Sequence, residues 1–328
     1  MRVTVIRAAA IGLLCAVAAF QAQDPPQPSW YRGNLHTHTT RSDGDTAPEE
    51  VARWYKDNGY QFLVLSDHNR FTDPQPLNDV VGEAGKFLLI PGEEVTDSFE
   101  KKPVHVNGYN IARLVVPTKG ASMVATIQGN VNAIREAEGL PSVNHPNFGW
   151  AFGSRELLEV ENLSLFEVYN GHPTVHNLGG GGSESLEEMW DALLTAGRRM
   201  YGIAVDDAHH FKRFGKQYSN PGRGWVTVRA ATLTRQHIAA ALAAGEFYSS
   251  TGVELTDVRR SATGLRLEIK PQGNARYRTQ FIGDGGRLLA TATELSPSYN
   301  FGGERYVRAR VLCSNGDEAW VQPAFRAP

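Results

Sequence analysis

The sequence predicts an α/β protein followed by a small all-β segment, and three observations predict it. Short apolar strands alternate with amphipathic helices from Trp30 to about Gly252; several of those strands end in histidines or carboxylates; and beyond Gly252 the texture changes to alternating segments separated by glycine and asparagine turns. A chain of 328 residues is long enough for one large core with a small companion, since single cores rarely grow past about 250 residues. We therefore divide it into a signal peptide (1–22), a linker (23–29), a main domain (30–252) and a C-terminal β domain (253–328).

The first residues read as an export signal. Arg2 and Arg7 supply the positive start, Ala8 to Phe20 is uncharged and apolar, and Ala22 offers a small residue for cleavage. That run is too short to span a bilayer, which needs roughly 20 apolar residues. The polar, proline-rich stretch Gln23 to Pro28 detaches it from the first expected strand. Cleavage would also remove Cys15, leaving Cys313 alone and no internal disulfide in a periplasmic or secreted protein.

Expected strands are Arg32 to Leu35, Phe62 to Leu65, Phe87 to Ile90, Val104 to Tyr109, Ser142 to Val143, Leu165 to Val168, Tyr201 to Val205 and Glu246 to Tyr248. Their order and spacing predict a parallel sheet wound by crossovers. Expected helices are Pro48 to Asn58, Val124 to Ala137, Glu184 to Ala196 and Thr234 to Ala244, with Pro48 near a helix start and Gly59, Gly139, Gly197 and Gly245 just past helix ends. In the C-terminal part Leu265 to Ile269, Tyr277 to Ile282, Tyr306 to Leu312 and Ala319 to Val321 read as strands, and Gly179 to Gly182 as a flexible loop. A formal net charge of −2 argues against a bulk electrostatic footprint for long nucleic acid.

The chemistry collects at strand ends. Asn34-Leu35-His36-Thr37-His38 is followed by Ser42-Asp43-Gly44, and on an extended segment His36 and His38 point to one face. Ser66-Asp67-His68-Asn69 follows the second strand, Pro91-Gly92-Glu93-Glu94 the third, and His105 opens the next. Asn144-His145-Pro146 and Asp206-Asp207-Ala208-His209 repeat the arrangement. Imidazoles buried together without partners are costly, so this many at the ends of one sheet points to divalent metal. The mixed nitrogen and oxygen donors suit zinc, manganese or iron.

In these motifs and their order, from Trp30 to Gly252, the chain resembles the polymerase and histidinol phosphatase (PHP) family of metal-dependent phosphoesterases. The resemblance implies a distorted seven-stranded (β/α) barrel with the site at the C-terminal ends of its strands. It implies two or three divalent cations held by His36, His38, Asp43, His68, Glu94, His105, His145, Asp207 and His209. Gly222-Arg223-Gly224-Trp225 and the appended β segment make the chain most like an exported group that includes carbaryl hydrolase-like proteins.

Spacing alone leaves Glu93 open against Glu94 and Asp206 open against Asp207. The family places its carboxylate two residues after the Pro-Gly glycine, which favours Glu94. In an extended segment Asp207 shares a face with His209 and Asp206 does not. Many relatives carry histidine at the position of Asp43, which leaves the preferred metal open.

Among supporting residues, Asp67 is expected to orient an imidazole. Arg223, Arg70 and His210 are candidate phosphate contacts, and Asn170 a hydrogen-bonding neighbour of the site. His172, His176 and His237 read as ordinary surface or loop histidines. The expected activity is hydrolysis of a small phosphomonoester or phosphodiester by a metal-activated hydroxide, with carbamate, ester or amide hydrolysis as the alternative and a non-catalytic secreted metal-containing binding module as a third reading.

Overall fold

A computed structural model describes residue 1 and residues 27–327. The expected export segment and Cys15 lie outside the described residues, and Cys313 is buried and free. Among the described residues no helix is long and apolar enough to cross a membrane.

The main region begins with β1 (Ser29–Asn34), α1 (Pro48–Asp57), β2 (Phe62–Val64), α2 (Gln75–Val80), β3 (Leu88–Ile90), β4 (Gly92–Phe99) and β5 (Lys102–Tyr109). It continues with α3 (Met123–Glu136), β6 (Leu140–Val143), α4 (Ser154–Leu158), β7 (Leu165–Asn170), α5 (Leu186–Thr195), β8 (Tyr201–Val205), β9 (Trp225–Ala230), α6 (Arg235–Ala244) and β10 (Phe247–Ser250). The remainder is all β: β11 (Leu255–Ser261), β12 (Gly264–Ile269), β13 (Tyr277–Gly283), β14 (Arg287–Ala292), β15 (Ser298–Asn300), β16 (Tyr306–Cys313) and β17 (Glu318–Phe325).

The helices start where their caps say they should. Pro48 opens α1 with Glu49 and Glu50 in the first turn, where the helix dipole favours acids. Ser185 and Glu188 form a reciprocal cap on α5. Each of these two helices buries one face: α1 places Val51, Ala52 and Tyr55 against Leu63, Leu65 and Leu89, and α5 places Met189, Trp190, Leu193 and Leu194 against Phe166, Val168 and Ala204.

The strand pairing corrects two expectations. A continuous seven-stranded barrel is not what the ladders form: one sheet has nine strands in the order β14-β13-β16-β17-β10-β9-β1-β2-β3, a second has five in the order β4-β5-β6-β7-β8, and three more strands, β11-β12-β15, make a third sheet. Single bridges join the first two at one end, Thr37 to Ala208 and His68 to Glu94. Nor is the pairing all parallel. β1, β2 and β3 run parallel, as do β6, β7 and β8, but β5 is antiparallel to both β4 and β6, and β9 is antiparallel to β1. The reason is β4, a strand the periodicity did not predict. It turns back through Glu100-Lys101, both in left-handed conformation, and so makes a hairpin with β5.

β17 pairs with β10, so the C-terminal strands extend the same nine-stranded sheet that contains β1 and β2. The expected boundary at Gly252 falls just after β10. The buried Arg308 of β16 reaches across to Asp191 of α5, with nitrogen to oxygen distances of 2.7 and 2.6 Å.

Candidate metal centre

The ligand candidates arrive from six places. His36 and His38 leave the end of β1, His68 follows β2, Glu94 and His105 lie within β4 and β5, His145 follows β6, and Asp207 and His209 follow β8. Asp43 returns from the loop after β1. That return is tight at Gly44, where an added Cβ would sit 2.6 Å from the His38 carbonyl oxygen.

The His36 and His38 rings present an edge to two carboxylates. His36 Nε2 and His38 Nε2 are 3.1 Å apart, each is 3.3 Å from Glu94 Oε2, and they lie 3.3 and 3.2 Å from Asp207 Oδ1. A tetrahedral ion with ligand bonds of ~2.0–2.1 Å has edges of about 3.3 Å. The other Glu94 oxygen is 3.0 Å from His105 Nδ1 and 3.4 Å from His145 Nε2. Asp43 is 3.4 Å from both His68 Nε2 and His209 Nε2, and 3.3 Å from His38 Nδ1. The result is four overlapping groups, His36-His38-Glu94, His36-His145-Asp207, His68-Glu94-His105 and His38-Asp43-His68-His209, in each of which the ligand atoms lie within 4.8 Å of one another. All nine candidates belong to this cluster. The set fits divalent cations: Glu94 Oε2 and His105 Nδ1 are buried close to ionisable neighbours but make no aligned hydrogen bond, and a metal bond would satisfy both.

Charge is concentrated here. Burial disfavours the protonated ring of His36, but Asp207, Glu94 and Glu167 together outweigh it and hold its pKa well above the usual value. The same balance, with Glu94 and Asp43 as the opposing charges, raises His68 to about 9. His38 falls to about 4 through burial and the nearby His209. Burial pushes Glu94 up, yet His68, His36 and His105 hold it well below the carboxylate range. A cluster that attracts protons this strongly is one where a divalent cation can take their place.

The two open choices are decided by alternation along β4 and by the turn after β8. Glu93 points away from Glu94 and accepts the Val115 N–H at 2.9 Å, while burial raises it to about 7. Asp206 points away from the cluster too, taking the Tyr55 hydroxyl at 2.7 Å and the backbone N–H groups of Arg223 and Gly224 at 2.6 and 2.9 Å. The extended-segment argument for Asp207 is nevertheless corrected, because β8 ends at Val205 and Asp207 has φ 51°.

The supporting candidates fare differently. Asp67 touches no imidazole. It accepts hydrogen bonds from the Thr39 backbone and from Ser42 Oγ, both at 2.8 Å, and so holds the loop that carries Asp43. Arg223 is turned away: its guanidinium donates to the carbonyls of Gly171 and Gly215, and it lines a separate cavity of about 730 Å³ with Arg308, Arg310 and Trp320. In the same motif, Trp225 lies under the Arg32 guanidinium, 3.6 Å away. Arg70 is exposed. His210 stands in the wall of the metal cavity, with Nδ1 3.1 Å from Ser219 Oγ. Asn170 does reach the site, donating to Glu167 at 2.9 Å and to Asp207 at 3.1 Å.

Three residues escaped the sequence reading. Glu167, fully buried on β7, lies 2.6 Å from His36 Nδ1 and accepts the His145 N–H at 2.9 Å. In the sequence it is one carboxylate inside an apolar strand, and a buried charge of that kind is itself a signal that a partner exists. His172, expected as an ordinary surface or loop histidine, lines the cavity of about 310 Å³ around the cluster, and Phe148 lines it as well.

No protein-family model matches the chain. It is 33% identical over 79 residues to the 5'-3' exoribonuclease Rnm of Escherichia coli (strain K12), a match covering 24% of this chain and 27% of that protein. A 5'-3' exoribonuclease of Haemophilus influenzae (strain ATCC 51907 / DSM 11121 / KW20 / Rd) is 31% identical over 77 residues, covering 24% and 28%. The chain thus spans about a quarter of the length of the curated relatives it matches. Among solved structures, a two-domain protein from Bacteroides vulgatus ATCC 8482, described as containing a predicted PHP-like metal-dependent phosphoesterase, superposes with a TM-score of 0.51 at 15% identity, covering 92% of this chain and 96% of that one. That likeness is one of fold, shared over almost the whole of both chains.

Proposed function

We propose that this protein is a metal-dependent phosphoesterase that hydrolyses a small phosphomonoester or phosphodiester, with two or three divalent cations held by the nine clustered residues. One observation carries the reading: His36 Nε2 and His38 Nε2 stand at coordination-edge distances from each other and from both Glu94 Oε2 and Asp207 Oδ1, and the second oxygen of Glu94 serves a further group. Divalent cations supply Lewis-acid polarisation of the substrate and acidification of water. The chain does the positioning. Glu167 fixes the His36 ring with Nε2 facing inward, and Asn170 holds one oxygen of Asp207 while the other faces the histidines. His172 and His210, in the cavity wall but outside the metal-binding groups, are placed to hold or pass a proton at the leaving oxygen. The match to proteins named as exoribonucleases supports including a phosphodiester among the substrates.

Metal analysis of the purified protein, with assays of the manganese- and zinc-loaded forms on p-nitrophenyl phosphate, bis-p-nitrophenyl phosphate and p-nitrophenyl acetate, tests the reading. Turnover of either phosphate ester that is lost with a chelator and restored by metal supports it. Turnover of the acetate alone overturns it in favour of carboxyl-ester or carbamate hydrolysis. The N-terminal pattern supports action outside the cytoplasm, which fractionation of expressing cells checks.

A further inference from the structure

We infer that Phe148 selects phosphoesters with a flat aromatic leaving group, an inference that rests on the phosphoester reading above. Among the described residues Phe148 is the one side chain common to two cavities, the metal cavity of about 310 Å³ and a groove of about 730 Å³. The first is walled by the ligand cluster and suits a phosphoryl group. The second has Pro103, Val116 and Pro117 beside Phe148, with Asp97, Lys101 and Lys119 also in its lining, and Val116 is 70% exposed, so an apolar strip in a polar rim stands open next to the chemistry. The ring of Phe148 lies 5.5 Å from that of His145 and 6.1 Å from that of His105, centroid to centroid, with His172 at 6.4 Å.

Its position is fixed from both ends. The Phe148 N–H donates to the His145 carbonyl at 2.8 Å, Gly149 and Trp150 turn the chain in left-handed conformation, and Lys102 Nζ donates to the Trp150 carbonyl at 2.9 Å. A group leaving the metal cavity toward the groove therefore passes an aromatic side chain whose backbone is held in place, and a flat ring gains most from that contact. The groove holds no member of the metal-binding groups, so it serves the part of the substrate that is not attacked.

The test compares the metal-loaded wild type with Phe148→Leu and Phe148→Ala on phenyl phosphate and on a fluoroalkyl phosphate of matched leaving-group acidity. Calorimetric binding of phenylphosphonate and methylphosphonate gives a second readout. Phe148→Leu keeps most of the volume but removes the aromatic face, and metal content and melting temperature are checked for both variants. The aryl-to-alkyl ratio of kcat/KM should fall by about three- to tenfold in both variants, the worth of one aromatic contact, with a parallel loss of phenylphosphonate preference. Equal losses on both esters and both phosphonates, or an unchanged ratio, overturn the role of Phe148 and leave the phosphoester reading standing. A wild type that turns over neither of these monoesters nor bis-p-nitrophenyl phosphate removes the phosphoester reading and this inference with it.

Discussion

Two of the nine clustered residues sit in backbone conformations that ordinary side chains avoid: Asp207 has φ 51° and His145 φ 22°. Such positions cost of order 1–3 kcal/mol each and persist only where the surroundings hold them. Here the Asp207 N–H donates to the His36 carbonyl at 3.0 Å and the His145 N–H donates to Glu167. At this scale the site makes two predictions. His68→Ala and Asp207→Ala should abolish turnover, by more than about 10²-fold, with circular dichroism unchanged; wild-type rates in either variant would remove that residue from the proposed ligand set. Glu167→Gln should weaken metal binding by about 10–100-fold in a chelator competition, because the His36 ring loses the carboxylate that orients it.

At the scale of elements, β4 and its hairpin with β5 deliver Glu94 and His105 together. Strand alternation then sends Glu93 to the Val115 N–H and Glu94 to the metal cavity, although the two are chemically alike and adjacent. The link between β16 and α5 is equally specific. Arg308 pairs with Asp191 and lies 2.9 Å from Glu187, with its side chain 2% exposed. Arg308→Met leaves Asp191 buried without its partner and should cost about 3–5 kcal/mol in urea unfolding, whereas adding Asp191→Leu should recover part of that loss. Additive losses in the double variant would show that the two residues do not act as a pair.

For the whole molecule, the nine-stranded sheet passes from the C-terminal strands through β10 and β9 to β1, the strand whose end carries His36. A chain ended at Gly252 loses β17 and leaves the β10 edge open, so it should melt at lower temperature or aggregate. Retention of the full melting temperature would show that the first 252 residues fold independently. Cations that bind the folded cluster should stabilise it by about 2.7 kcal/mol at a hundredfold excess over Kd, and binding should release protons, because the rings and carboxylates that bind metal must be deprotonated. Calorimetry in buffers of different ionisation enthalpy measures that release. The sign is such that metal affinity falls as pH is lowered.

The elements that depend on local pattern were legible in the chain. α1, α3, α5 and α6 lie within about two residues of the ranges expected from periodicity and caps, as do most strands. β4 was not legible, because its partner is created by the turn at Glu100-Lys101 and its residues do not alternate cleanly. β9 was missed similarly, as its neighbours β1 and β10 are brought to it by pairing rather than by local pattern. For the site, the sequence by itself determined the residue types, their order and their gathering at strand ends. Only the tertiary structure decided that Glu94 and Asp207 face the cluster while Glu93, Asp206 and Arg223 turn elsewhere, and that Glu167, His172 and Phe148 complete its surroundings. The physical reason is that ligand geometry is set by distances between strands far apart in the chain, and no local pattern records those.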